Sequence, residues 1–119
     1  MKTKMDRRTG FTLIEIMLIV TIIGMLAAIA IPRFLKARGT SQMNACINNM
    51  RQIDAATQTW AMENNKSGSS AVTSASLRPY VNRGTGAIWP TCPSGGTYVL
   101  TDVQTKPTCT KSSLGHVLP

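Results

Sequence analysis

Glu15 is the one acid in an otherwise apolar run. From Phe11 to Ile31 the chain is broken only by Thr12, Glu15, Thr21 and Gly24, and nothing basic follows Glu15 until Arg33. A charged side chain at the centre of a bilayer costs roughly 2.5–3.5 kcal/mol on insertion scales, so this carboxylate calls for a partner or a function. The other groups with chemistry to offer are Cys46, Cys92, Cys109 and the only histidine, His116. Cys92 and Cys109 fall in a Pro/Gly/Thr-rich tail, with no CxxC pair or HxxxH that would read as a zinc module. No metal ligand and no cofactor is therefore expected. A Cys92–Cys109 bridge suits an exported domain with little core, and a loop of that size contributes about 3 kcal/mol in the chain-entropy picture. Cys46 lies on a helical pattern and reads as a small apolar residue, though it competes for either partner. His116 has no serine or cysteine arrangement around it that would make a base-activated nucleophile, so the expectation is that the chain is not an enzyme.

The elements that must position these residues follow from the pattern. The run Phe11–Ile31 would span about 31 Å as a helix, close to the hydrocarbon thickness of a membrane. Ahead of it, residues 1–10 carry Lys2, Lys4, Arg7 and Arg8; behind it come Arg33, Lys36 and Arg38. The slight excess at the front favours a cytoplasmic N-terminus. The apolar run is longer than a secretory signal and has no small-residue cleavage site followed by a polar start, so it is expected to stay in the mature protein. Beyond Pro32, Met43, Cys46/Ile47, Met50, Ile53, Thr57 and Trp60/Ala61 recur at steps of three and four, one face of an amphipathic helix that ends near Glu63-Asn64-Asn65. Lys66 to Ser70 is loop composition. Leu77 to Val81 reads as a helical turn that packs Leu77 and Tyr80. Ser94-Gly95-Gly96 turns into a strand over 97–101, and 108–110 reads as a short return strand.

Formal charge is +8, but without residues 1–10 nine basic side chains face four acidic ones, a balance of +5. These cations are scattered and lack the aromatic interleaving of a single-strand nucleic-acid binder. They read as a solvated face, which leaves room for DNA or a surface ligand without any motif in support.

The stretch GFTLIEIMLIVTIIGMLAAIAIPRF, residues 10–34, closely resembles the N-terminal segment of type IV pilins and pseudopilins: Gly10 before a cut, Phe11 after it, Glu15, Gly24, and Pro32 closing the run. The resemblance implies an α+β, pilin-like fold. A long N-terminal helix, half transmembrane and half amphipathic, carries a small antiparallel two- or three-stranded β-sheet packed on its C-terminal half. Residues 1–10 are then a leader that is cleaved, 11–33 the transmembrane and assembly helix, 34–65 its amphipathic continuation, and 66–119 a small globular head. It also implies a prepilin peptidase that cuts between Gly10 and Phe11 and N-methylates Phe11. Mature subunits would polymerise with themselves and other pilins, drawn from membrane lipid by an inner-membrane platform protein and its assembly ATPase. Before assembly the subunit would cross the inner membrane once, with its head outside the cytoplasm. Afterwards it would belong to a surface pilus or a periplasmic pseudopilus.

Cleavage would supply the missing partner for Glu15. It creates an α-amine on Phe11, four residues away on one helix face, and the pair can form within a subunit or between neighbours. An unpaired charge there is heavily penalised, which makes such a pair a register device more than a source of raw stability. Gly24 and Pro32 read as packing or kink sites, with local unwinding between them an equal alternative. The leading function is a filament subunit of a type IV pilus. One alternative is a pseudopilin of a type II secretion or competence (DNA-uptake) machine; secretion pseudopilins of this size carry an acidic calcium loop, whereas Asp102 is the only acid after Glu63. An alternative of another class is a membrane-anchored binding protein that never polymerises, which leaves Gly10-Phe11 and Glu15 unexplained.

Overall fold

The computed structural model describes residues 10–81 and 88–119. They divide between two compact units, Met1–Ala37 and Arg38–Pro119. Helix α1, Leu13–Glu63, is the longest element at 51 residues.

In the first unit α1 begins immediately after Thr12, whose hydroxyl accepts the Glu15 backbone N–H at 3.3 Å while its carbonyl accepts the Ile16 N–H at 3.3 Å. Threonine is a good N-cap because its side chain satisfies a donor that the first turn leaves unpaired. From Leu13 to Leu35 the large apolar side chains are exposed, and the helix contains a stretch long and apolar enough to cross a membrane. An exposed apolar surface of this extent is of the kind that lipid or another chain covers. Pro32 sits inside the helix. Having no N–H, it leaves the Ala28 carbonyl without its usual intrahelical donor.

In the second unit the expected stripe is buried. Cys46, Met50, Ile53, Ala56, Thr57 and Ala61 face inward, whereas Arg51, Gln52, Gln58 and Glu63 are exposed. The helix stops where the sequence suggests. Asn65 takes a left-handed conformation (φ 50°), and Lys66 N–H reaches back to the Ala61 carbonyl at 2.9 Å. This bond closes a Schellman-type end, and asparagine is one of the few side chains that tolerates the required φ.

Helix α2, Ser74–Val81, is capped by Thr73, whose Oγ1 accepts the Ser76 N–H at 3.3 Å. Leu77 is fully buried, and Tyr80 is half-buried with its hydroxyl accepting from Asn64 Nδ2 at 3.3 Å. Strands β1 (Tyr98–Val99) and β2 (Thr108–Cys109) form an antiparallel pair with Tyr98 opposite Cys109 and Val99 opposite Thr108. Both are shorter than the expected runs. A single antiparallel bridge joins Ala71 to Asp102, extended by Val72 N–H to Thr101 O and Val103 N–H to Ser70 O, each 3.2 Å.

Among the described residues two clusters make the core. One gathers Ile53, Ala61, Val72, Leu77 and Val103; the other gathers Cys46, Met50, Cys92 and Cys109. Tyr98 packs against both. Fully burying one Ile or Leu side chain contributes about 1.5–3 kcal/mol, so Ile53 and Leu77 hold much of the first cluster together. A two-stranded sheet this short is not independently stable, and its packing on the helix stripe supplies what pairing alone does not. The chain is thus an α+β fold with a long N-terminal helix and a small antiparallel sheet.

Candidate functional site

Gly10, Phe11 and Glu15 lie together at the start of α1. Gly10 is exposed and a Cβ there would meet nothing within 4 Å, so no local packing demands glycine at this point. Phe11 is 79 % exposed, a large apolar ring with no intramolecular cover. Glu15 is in the first turn of the helix and exposed. Thr12 and Glu15 occupy the N-cap and N3 positions of a capping-box pattern, where the positive end of the helix dipole favours a carboxylate. In one respect the geometry departs from expectation. Because Thr12 is the cap, Phe11 lies outside the first helical turn, and its relation to Glu15 is set by the capped entry to the helix rather than by one helix face. Gly24 and Pro32 both fall within α1, which is helical through both positions.

A model of the prokaryotic N-terminal methylation motif matches residues 5–31. The chain is 42 % identical over 60 residues to the type IV major pilin of Myxococcus xanthus, and 41 % identical over 59 residues to a type IV major fimbrial protein of Dichelobacter nodosus. The N-terminal segment is similar to that of type IV pilins.

These alignments cover half of the chain but only 27 % and 38 % of the two pilins, so the chain spans well under half the length of these relatives. Similarity to the type II secretion system core protein G of Aeromonas hydrophila is lower, 26 %, yet runs over 93 residues, 78 % of this chain and 63 % of that protein. No solved structure matches the chain. The matched motif spans Gly10, Phe11, Glu15 and Gly24 and ends one residue before Pro32.

The second unit holds a constellation the spacing did not disclose. Cys46, Cys92, Cys109 and His116 are all buried, and each offers a ligand atom within 4.8 Å of the others. Cys92 and Cys109, the expected bridge partners, are brought together as free thiols with Cys46 in the same cluster. Cys46 comes from the helix stripe, Cys109 from β2, Cys92 from the loop before β1, and His116 from the segment after the 3₁₀ turn Ser112–Leu114. His116 Nδ1 lies 3.5 Å from Cys92 Sγ. Gly115, at φ 83°, makes the left-handed turn that delivers His116 to the core.

The sulfurs are held in unlike environments. Burial pushes the Cys46 thiol up to about 12. Burial is the largest influence on Cys92 and acts to raise it, but backbone hydrogen bonding from Ser94 and Gly96 together with the Cys46 and Cys109 thiols outweighs it and brings the thiol down to about 7. Gly96 is required there by space: a Cβ would stand 2.9 Å from Cys109 Sγ and 2.9 Å from Lys111 Cγ. No short motif links the set: the sequence pairs Cys92 with Cys109, leaves Cys46 as a competitor for either, and sets His116 apart. The available signal was compositional: a buried-looking cysteine on a helix stripe, and a tail that spends two cysteines and its only histidine close to tight Gly turns.

Proposed function

We propose that the chain is a structural subunit of a type IV pilus-like filament, cut between Gly10 and Phe11 and polymerised through α1. The observation that carries this reading is the exposed apolar surface from Phe11 to Leu35, bearing a single acid in its first turn. A membrane covers that surface before assembly and neighbouring helices cover it afterwards, so the same side chains serve both states. Glu15 meets the Phe11 amine that processing creates, either on its own subunit or on the last one added. Prepilin peptidase, the platform protein with its ATPase, and an inner-membrane precursor with a cytoplasmic N-terminus belong to this proposal. N-methylation of Phe11 belongs to it as well, supported by the matched methylation motif.

Electron microscopy of sheared surface material, with the N-terminus of the subunit sequenced, tests it. The expected result is fibres whose subunits begin at methylated Phe11. Membrane-bound monomer beginning at Met1 overturns it in favour of an anchored protein that does not polymerise. A second reading, a pseudopilin, is favoured by the long alignment with the secretion-system protein. Processed subunit with filaments confined beneath the outer membrane is the outcome that selects it.

A further inference from the structure

We propose that Cys46, Cys92, Cys109 and His116 form a Cys3His site for a thiophilic divalent cation, zinc in the first instance. Four side chains from four separate segments converge with their ligand atoms within 4.8 Å of one another, and all four residues are buried. A tetrahedral zinc site has Zn–S of ~2.3 Å and Zn–N of ~2.0–2.1 Å, which sets ligand-to-ligand edges near 3.5–3.8 Å. The His116 Nδ1 to Cys92 Sγ separation of 3.5 Å already fits. No separation in the set exceeds 4.8 Å, about 1 Å beyond such an edge.

The bland reading treats the three cysteines as small apolar residues and His116 as a packed ring. It accounts for the burial of each sulfur but not for their convergence on an imidazole. His116 is only 3 % exposed, and the partner its Nδ1 meets is a thiol sulfur. Buried polar groups ordinarily have stronger partners. Surroundings of the kind that support thiolate ligands are in place too. The Lys111 N–H donates to Cys109 Sγ at 3.5 Å. Such outer contacts orient ligands and stabilise their charge. On binding, each thiol gives its proton to solvent and His116 binds neutral through Nδ1, leaving three thiolates and a dication with a net charge of −1. Sulfur-rich tetrahedral donor sets select zinc over calcium or magnesium, which take oxygen ligands. The site ties the helix stripe to both ends of the β-hairpin, supplying a cross-link that a small core benefits from. It requires nothing of the filament reading.

The test uses the full-length chain in detergent, purified without reductant or chelator. Native mass spectrometry is expected to find one zinc per chain with all three thiols reduced. Replacement by cobalt(II) is expected to give thiolate-to-cobalt charge-transfer bands and the intense visible bands of a tetrahedral centre. Cys46→Ser is expected to weaken cobalt binding more than the roughly 10–100-fold typical of outer-contact changes. Cys46 is spare in a Cys92–Cys109 bridge, so unchanged affinity in that variant overturns the site. A metal-free chain two hydrogens lighter, carrying a disulfide between any two of the cysteines, overturns it as well. So does a cobalt spectrum without thiolate bands. The wild-type spectrum decides the matter even where the Cys46→Ser chain does not fold.

Discussion

The Thr12 hydroxyl accepts the backbone N–H of Glu15 at 3.3 Å, so the residue that carries the acid is held by its main chain and its carboxylate is left free. Alanine or glutamine at position 15 keeps that backbone bond. Glu15→Ala and Glu15→Gln are therefore expected to leave the helix start and the processing of the precursor intact, while filament yield falls sharply. Immunoblots of sheared filaments beside cell-associated mature subunit read both effects at once. Normal filaments in Glu15→Gln remove charge pairing from the assembly step. The paired control, Thr12→Ala, loses the cap, at a cost of about 0.5–2 kcal/mol to the helix, without touching the charge.

A Cβ at Gly10 would meet nothing within 4 Å among the described residues, so a side chain there is not expected to disturb their packing. Gly10→Val is expected to block cleavage through the peptidase's own narrow site, giving a precursor longer by ten residues on a mass measurement. Accumulation of mature chain in this variant shows that the cut lies elsewhere.

Gly96→Ala drives a methyl group against Cys109 Sγ and Lys111 Cγ, both 2.9 Å from where its Cβ must stand. Overpacking of this kind costs about 1–3 kcal/mol. Denaturant unfolding monitored by tryptophan fluorescence is expected to show a lower midpoint with little change in slope. Gly95→Ala meets no such contact but must hold φ 77°, so its penalty arises in the backbone.

Asp102 anchors the turn that sends the chain from β1 to β2. Hydrogen bonds from Thr105, first through its hydroxyl and then through its backbone N–H, hold the Asp102 carboxyl below the usual carboxylate range. A depressed folded-state value adds stability above the unfolded value, near 4, and that stability is lost as pH falls through the folded one. Asp102→Asn is expected to lower the unfolding midpoint at neutral pH, and the gap from wild type is expected to narrow in acid. A gap that is constant from neutral pH to below the carboxylate range excludes this ionisation as its source.

The parts legible in sequence were those written in short-range periodicity. The stripe from Cys46 to Ala61, the stop at Asn65 and the turn at Gly95 each depend on neighbours a few residues apart, and each stands where the pattern puts it. Thr12 as N-cap was equally local, a T-x-x-E box hidden inside an apolar run that drew attention to hydropathy. The bridge between Ala71 and Asp102 has no periodicity to read, because a single pair has none. The cysteine–histidine cluster was illegible for a different reason. Its members meet only after β2 has folded back on β1 and the pair has docked on the helix, and no spacing along the chain encodes that meeting.

Met50 and Cys46 on the helix find their cover in Cys92, Tyr98, Cys109 and Leu118. Synthesis runs from the N-terminus, so the helix stripe exists long before the residues that shield it. Core closure is therefore the last step in the folding of this unit, slow in the way contacts between distant segments are slow. A chain truncated ahead of Cys109 is expected to leave the Met50 and Cys46 side chains uncovered, the kind of exposure that proteases act on.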